Sequence, residues 1–185
     1  TGLDWTMGWV YLGSLLLVGF VSGIVVDPGL LAERNKRRHQ NQKAWDRVLF
    51  GLYGTVTGFL VPLVAALDFR FGWQPDVSLP IELTALWFYL LSWALHLWAM
   101  AENKYFSQVV RIQTDRGQIV IETGPYRYVR HPGYTGGILL TAATPLMLGS
   151  AWATILGLFG ALLLVVRTAL EDRVLRQELD GYRNY

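Results

Sequence analysis

The chain has no cysteine. That excludes disulfides, a thiol nucleophile and any thiolate metal site. Histidine is scarce as well. His39, His96 and His131 are the three present, far apart and without ligand spacing, so no metal is expected. Charge is the next shortage: 16% of the 185 residues are charged and 52% are hydrophobic, with eight Trp. A soluble domain carries about 25% charge. Mean hydropathy is positive, and the sequence reads as an integral membrane protein. No G-x-G-x-G loop sits in a βαβ pattern, which excludes a Rossmann nucleotide site. The net charge of +2 invites a nucleic-acid reading. The basic residues fall in loops between apolar runs, however, as the positive-inside rule requires of a membrane chain.

Apolar runs set the architecture. Trp5 to Val26 is uncharged and long enough to cross the hydrocarbon core, for which about 20 residues suffice. It lacks a basic lead and a cleavage-like end, so it reads as a span rather than a signal peptide. Asp27-Pro28-Gly29 stops it. Glu33 to Arg47 is polar and basic, suited to a juxtamembrane loop against anionic lipid. Val48 to Leu67 is the second span. Pro62 should kink it, and Gly51, Gly54 and Gly58 share a side suited to close helix packing. Asp68 to Pro80 is a loop anchored by Phe69, Phe71 and Trp73. Ile81 to Met100 is the third span, with His96 inside it, either bonding a neighbouring helix or facing a polar cavity. Glu102 to Thr123 leaves the membrane, with a turn at Asp115-Arg116-Gly117 and a weakly alternating stretch from Gln118 to Thr123.

From Gly133 to Arg167 the chain is apolar except for hydroxyls. One helix over it would be about 50 Å long, too long for a bilayer. Two helices of roughly 16 to 18 residues, turning at Leu148-Gly149-Ser150, fit the short end of the spanning range. The expected fold is therefore all-α and polytopic. It has five transmembrane helices, the last two a hairpin, with a cytoplasmic pocket in the C-terminal region. Residues 1–100 hold the first three spans and 101–185 the functional region, within one membrane domain. With the N-terminus outside and the C-terminus cytoplasmic, fifteen of sixteen Lys and Arg lie inside, Arg70 being the exception.

The polar stretch Gly124-Pro125-Tyr126-Arg127-Tyr128-Val129-Arg130-His131-Pro132-Gly133-Tyr134 precedes that hairpin. Pro132 fixes its own φ and disfavours helix at His131, so it reads as the first residue of a helix. Gly133, Gly136 and Gly137 leave its first turns almost bare. They either admit an anionic ligand to the free N–H groups or pack against a neighbour. In the tail, Arg167 and Glu171 are four apart and share a helix face. The hairpin would return them near His131. The pair is either an interfacial salt bridge or half of a site.

Taken together, Asn103-x-Tyr105-Phe106-Ser107, Gly124-Pro125-Tyr126, Arg130-His131-Pro132-x-Tyr134, Arg167-x-x-x-Glu171-Asp172 and Gly181-Tyr182-x-x-Tyr185 resemble the integral-membrane isoprenylcysteine carboxyl methyltransferase family. Its superfamily includes phospholipid methyltransferases. The similarity covers roughly Leu95 to Tyr185, and Asp172 stands where the family usually has a second glutamate. The resemblance implies a membrane methyltransferase, in a prokaryotic inner membrane. S-adenosylmethionine would be the methyl donor, and the acceptor a lipophilic prenylated-cysteine-like acid or a lipid head group. It implies donor binding by Tyr126, Arg130, His131, Pro132, Tyr134, Glu171 and Tyr182. Arg167 and Glu171 would be catalytic: Arg167 toward an acceptor carboxylate, Glu171 toward the sulfonium or as a base. Two other classes stay open: a nicotinamide-dependent reductase related to sterol reductases, and a non-catalytic membrane scaffold. The residues do not distinguish an oxygen, nitrogen or sulfur acceptor.

Overall fold

A computed structural model gives the fold and describes residues 4–34, 42–73 and 75–185. Lys36, Arg37, Arg38 and His39 of the basic loop lie outside the described residues. The chain forms α1 (Thr6–Val25), α2 (Pro28–Arg34), α3 (Ala44–Thr55), α4 (Val61–Phe71), α5 (Leu79–Glu102), α6 (Pro132–Met147) and α7 (Ala151–Glu178). Among the described residues there is no strand, and Gln118 to Thr123 is irregular.

Among the described residues, four helices are long and apolar enough to cross a membrane: α1, the continuous run Ala44–Phe71, α5 and α7. The fifth expected span, α6, has 16 residues, or about 24 Å at 1.5 Å per residue. The stop after α1 is itself structured. Asp27 accepts the Leu30 N–H at 2.9 Å and so caps α2. Between α3 and α4 the break expected at Pro62 is a π-helical turn over Val56–Leu60. Proline lacks the N–H that would continue the α ladder, and the wider turn absorbs that defect.

α6 and α7 run antiparallel. A Cβ at Gly137 would lie 3.1 Å from Leu164, and one at Gly157 2.7 Å from Pro145 and 2.8 Å from the Thr141 carbonyl. As the numbering rises in one helix it falls in the other. The reversal is at Leu148–Ser150, where Gly149 takes φ 79°, a conformation that favours glycine. Ser150 accepts the Ala153 N–H at 3.0 Å as the α7 cap, while its hydroxyl donates to buried Asp68 at 2.5 Å. α6 also lies on α5, where a Cβ at Gly136 would sit 3.0 Å from the Ser92 carbonyl.

One expectation about glycine changes here: at Gly51, Gly54 and Gly58 an added Cβ would meet nothing within 4 Å among the described residues, so these positions are not close-packed. The glycines opening α6 are close-packed, the Phe106 ring filling the space beside Gly133, while Gly133 and Gly137 also border a cavity.

The bundle has two ends. At one, Trp5 Nε1 donates to the Leu148 carbonyl at 3.3 Å and Asp68 holds Ser150. At the other, Lys43 meets Glu178 at 2.6 Å, Arg167 meets Asp46 at 2.7 Å, and Asn103 donates to Tyr126 at 3.1 Å. The basic connectors gather at this second end.

Candidate functional site

A cavity of about 330 Å³ opens at that basic end, within the roughly 300–1,000 Å³ typical of small-molecule sites. Pro132 starts α6 as the sequence implied, but it is fully buried and does not line the cavity. Its part is to aim its neighbours. Tyr134 points to α7 and donates to Glu171 at 2.5 Å.

Arg167 lies beneath them, 6% exposed. Its Nε donates to Asp46 at 2.7 Å and its Nη2 to the Gln108 carbonyl at 2.6 Å. The guanidinium is stacked between Phe50 at 4.9 Å and Tyr134 at 5.5 Å. Asp46 is fully buried and also accepts the Val110 N–H at 2.9 Å. The partner of Arg167 is thus an acid 121 residues away, not the Glu171 one turn along its own helix.

Asp172 does not line the cavity and works from behind it. It accepts from the Tyr182 hydroxyl at 3.1 Å, lies 3.4 Å from His131 Nε2, and pairs with Arg176 at 2.6 Å and Arg130 at 3.7 Å. Tyr182 and His131 are 3.0 Å apart. Asp172 therefore orients a histidine and a phenol that face the cavity. A positive φ of 82° at Gly181 turns the tail back after α7. Arg130 then lies over both the Tyr182 and Tyr185 rings, 5.7 and 5.9 Å from their centres. The Tyr185 hydroxyl donates to the Tyr126 carbonyl.

Burial raises the pKa of the Tyr182 hydroxyl, and nearby Asp172 raises it further. Burial does the same at Tyr126, against the opposing bond from Asn103. Both phenols stay neutral at physiological pH and act as hydrogen-bond donors. The connector after α5 is fixed by buried Gln113, which donates to the Tyr105 carbonyl at 2.7 Å. Arg111 bonds Glu33 and Asp115, both at 2.8 Å. Burial opposes its charge, but the two acids outweigh burial and raise its pKa.

Tyr126, Arg130, His131, Tyr134, Arg167, Glu171 and Tyr182 all line this one cavity. Sequence reasoning missed Arg34, Phe50, Tyr53 and Gln108, which line it too, and Asp46, which holds Arg167. Asp46 had one signal: an isolated acid at the foot of an apolar run, inside a basic segment.

Compared with known families, residues 84–177 match the model of the Isoprenylcysteine carboxyl methyltransferase (ICMT) family. The chain belongs to this family. The match spans just over half of the sequence, from within α5 through α6 to near the end of α7. No curated protein matches the chain significantly. The methyltransferase family match includes Tyr126, His131, Tyr134, Arg167 and Glu171. Arg34, Asp46 and Tyr182 lie beyond its limits.

Proposed function

We propose that the protein is an S-adenosylmethionine-dependent methyltransferase acting in the membrane on a lipophilic acceptor, a prenylated-cysteine-like acid or a lipid head group. Its observational support is the convergence of seven side chains from the R-H-P-x-Y, Arg167–Glu171 and Gly181–Tyr185 motifs on one cavity. On this reading α6 and α7 form the last membrane hairpin of a five-span chain. The basic end of the bundle faces the cytoplasm, residues 1–100 are mainly the anchor, and 101–185 carry the chemistry.

The cavity wall fits such a donor. It offers phenol rings for a purine, the Arg130 cation for a carboxylate, and one carboxylate, Glu171, for a positive centre. When bound, the donor supplies an electrophilic methyl group on a sulfonium. Tyr126, Tyr182 and Tyr185 would hold the base. Arg130 and His131 would hold the polar end, with His131 steadied by Asp172 and Tyr182. Tyr134 fixes Glu171 by its hydrogen bond, and that carboxylate would serve the positive centre or accept the proton of an amine acceptor. Arg167, clamped by Asp46 and the Gln108 carbonyl, adds fixed positive charge toward the acceptor. In-line displacement gains mostly from alignment, which a cavity lined from α5, α6, α7 and the tail would supply.

The test is incubation of the purified protein with labelled S-adenosylmethionine and membrane lipid extract. Label should enter a lipid-soluble product, and Glu171→Gln should cut turnover about a hundredfold or more. Oxidation of a reduced nicotinamide without methyl transfer would replace this reading with the reductase class. No binding of either nucleotide would leave a scaffold.

A further inference from the structure

One face of α5 carries Tyr89, Trp93 and His96, at the spacing of helical neighbours. Their rings follow one another edge to face, Tyr89 to Trp93 at 6.4 Å and Trp93 to His96 at 5.8 Å. The polar groups around them are engaged. The Tyr89 hydroxyl bonds Ser14 at 2.6 Å, and the Ser92 hydroxyl donates to the Phe88 carbonyl at 2.6 Å. His96 Nδ1 lies 3.3 Å from the Gly133 carbonyl on α6. From the sequence, His96 was to bond a neighbouring helix or face a cavity, and it does both. The group left over on this face is the Trp93 indole. Its Nε1 is buried and has no hydrogen-bond partner among the described residues. Buried donors are nearly always satisfied, because leaving one unmade is costly.

Trp93 and His96 complement each other. A carbonyl only accepts, so a neutral imidazole bonded to Gly133 carries its proton on Nδ1 and keeps a lone pair on Nε2. Nε2 forms no hydrogen bond among the described residues. Trp93 thus offers a donor and His96 an acceptor, and both residues line the cavity. Hydrogen bonds span about 2.7–3.2 Å, so one oxygen can bridge groups on rings this close. Phe106, Leu140 and Leu164 line the cavity as well, and Phe106 stands 5.2 Å from His96. Such a wall suits hydrocarbon. The pair discriminates by chemistry. An ether or an ionised carboxylate only accepts, and leaves Nε2 bare. An ammonium only donates, and leaves the indole bare. A hydroxyl accepts from the indole and donates to the imidazole through one atom.

We propose that Trp93 and His96 form a hydroxyl-reading subsite of the cavity, which takes a lipophilic alcohol with its chain along Phe106, Leu140 and Leu164. The ligand's role rests on the methyltransferase reading: the acceptor then carries a hydroxyl held here, apart from the atom that takes the methyl group. The subsite itself stands without that reading.

The probes are radiolabelled 1-dodecanol, 1-methoxydodecane and dodecane, with the whole chain in phosphatidylcholine nanodiscs. Binding is read as retention above empty nanodiscs at equal mole fraction in the lipid. Wild type should bind the alcohol about threefold to tenfold more tightly than the ether, the worth of one hydrogen bond, and the ether more tightly than the alkane by a similar factor. The Trp93 indole N–H resonance, assigned by its absence in Trp93→Phe, should shift with the alcohol and the ether and stay in place with dodecane. His96→Leu should bring the alcohol down to the ether. Trp93→Phe should remove the advantage of the ether over the alkane. Equal affinity for all three probes in wild type overturns the proposal and leaves an ordered water between the two side chains. An undiminished alcohol preference in folded His96→Leu overturns it too. Should His96→Leu fail to fold, Trp93→Phe decides, an unchanged ether advantage overturning the proposal and its loss upholding it. The two readings fail separately. Alcohol preference without S-adenosylmethionine binding would sink the methyltransferase reading and keep the subsite. Methyl transfer with no alcohol preference in wild type would do the reverse.

Discussion

α1 and α7 are both single helices of spanning length, yet their hydrophobic stretches differ sharply in burial: 6% in α1 against 39% in α7. Each contains glycine. In α1 a Cβ at Gly13, Gly19 or Gly23 would meet nothing, whereas in α7 those at Gly157 and Gly160 would collide with α6 and with Thr57. α1 is tied down by a few polar contacts, among them Ser14 to Tyr89 at 2.6 Å and Trp5 to Leu148. Within a bilayer, apolar surface has no hydrophobic reason to be buried, so helices approach only where packing or polar groups hold them. Hydropathy marks both as spans, and contact geometry separates the anchor from the machinery. The division is not a clean one between halves of the chain. Asp46, Glu33 and Arg34 reach the cavity end from the first 50 residues.

That exception is the sharpest place to break the comparison. Asp46→Ala leaves Arg167 buried without its acid and should cost about 3–5 kcal/mol, read by chemical denaturation in detergent micelles. A loss under about 1 kcal/mol would mean that the N-terminal helices do not hold the site. Gly157→Val should cost about 1–3 kcal/mol or more through overpacking against Pro145 and Thr141, while Gly13→Val in α1 should stay within about 0.5 kcal/mol. Equal losses at the two positions would erase the contrast. Tyr182→Phe removes one hydroxyl from the His131–Asp172 cluster. It should weaken S-adenosylmethionine binding by about 0.5–1.5 kcal/mol by calorimetry, with an unchanged melting temperature. At the same open position, Gly13→Ala should stabilise by about 0.5–1 kcal/mol, since alanine suits an open helix position better than glycine. A measurable destabilisation there would show that α1 has a packing partner.

Local features were legible in the sequence. Pro132 begins a helix and Gly149 reverses the chain, because each is decided by the conformational limits of the residue itself. The span from Trp5 to Val26 and the structured Thr6–Val25 differ by one residue at each end. Most motif residues from Tyr126 to Tyr182 line one cavity, with Pro132 and Asp172 set behind it. Long-range choices were not legible. Arg167 had Glu171 four residues away, yet the fold gave it Asp46 at a separation of 121, which spacing along one helix cannot reveal. Gly51, Gly54 and Gly58 carried a packing pattern with no neighbour to receive it. Trp93 looked like one more apolar span residue, since an indole N–H without a partner is visible only in three dimensions.

The π turn at Val56–Leu60 is in effect one residue of slack in the helix running from Ala44 to Phe71. An extra residue in an α-helix turns everything after it by about 100°. Before the turn, Phe50 and Tyr53 look into the cavity. Beyond it, Val61 and Ala65 join the core and Asp68 holds Ser150. The insertion is a phase shifter that lets one rod present two differently angled faces. Deleting a single residue within it would put the two ends out of step. Either the cavity wall or the Asp68 latch would then face lipid.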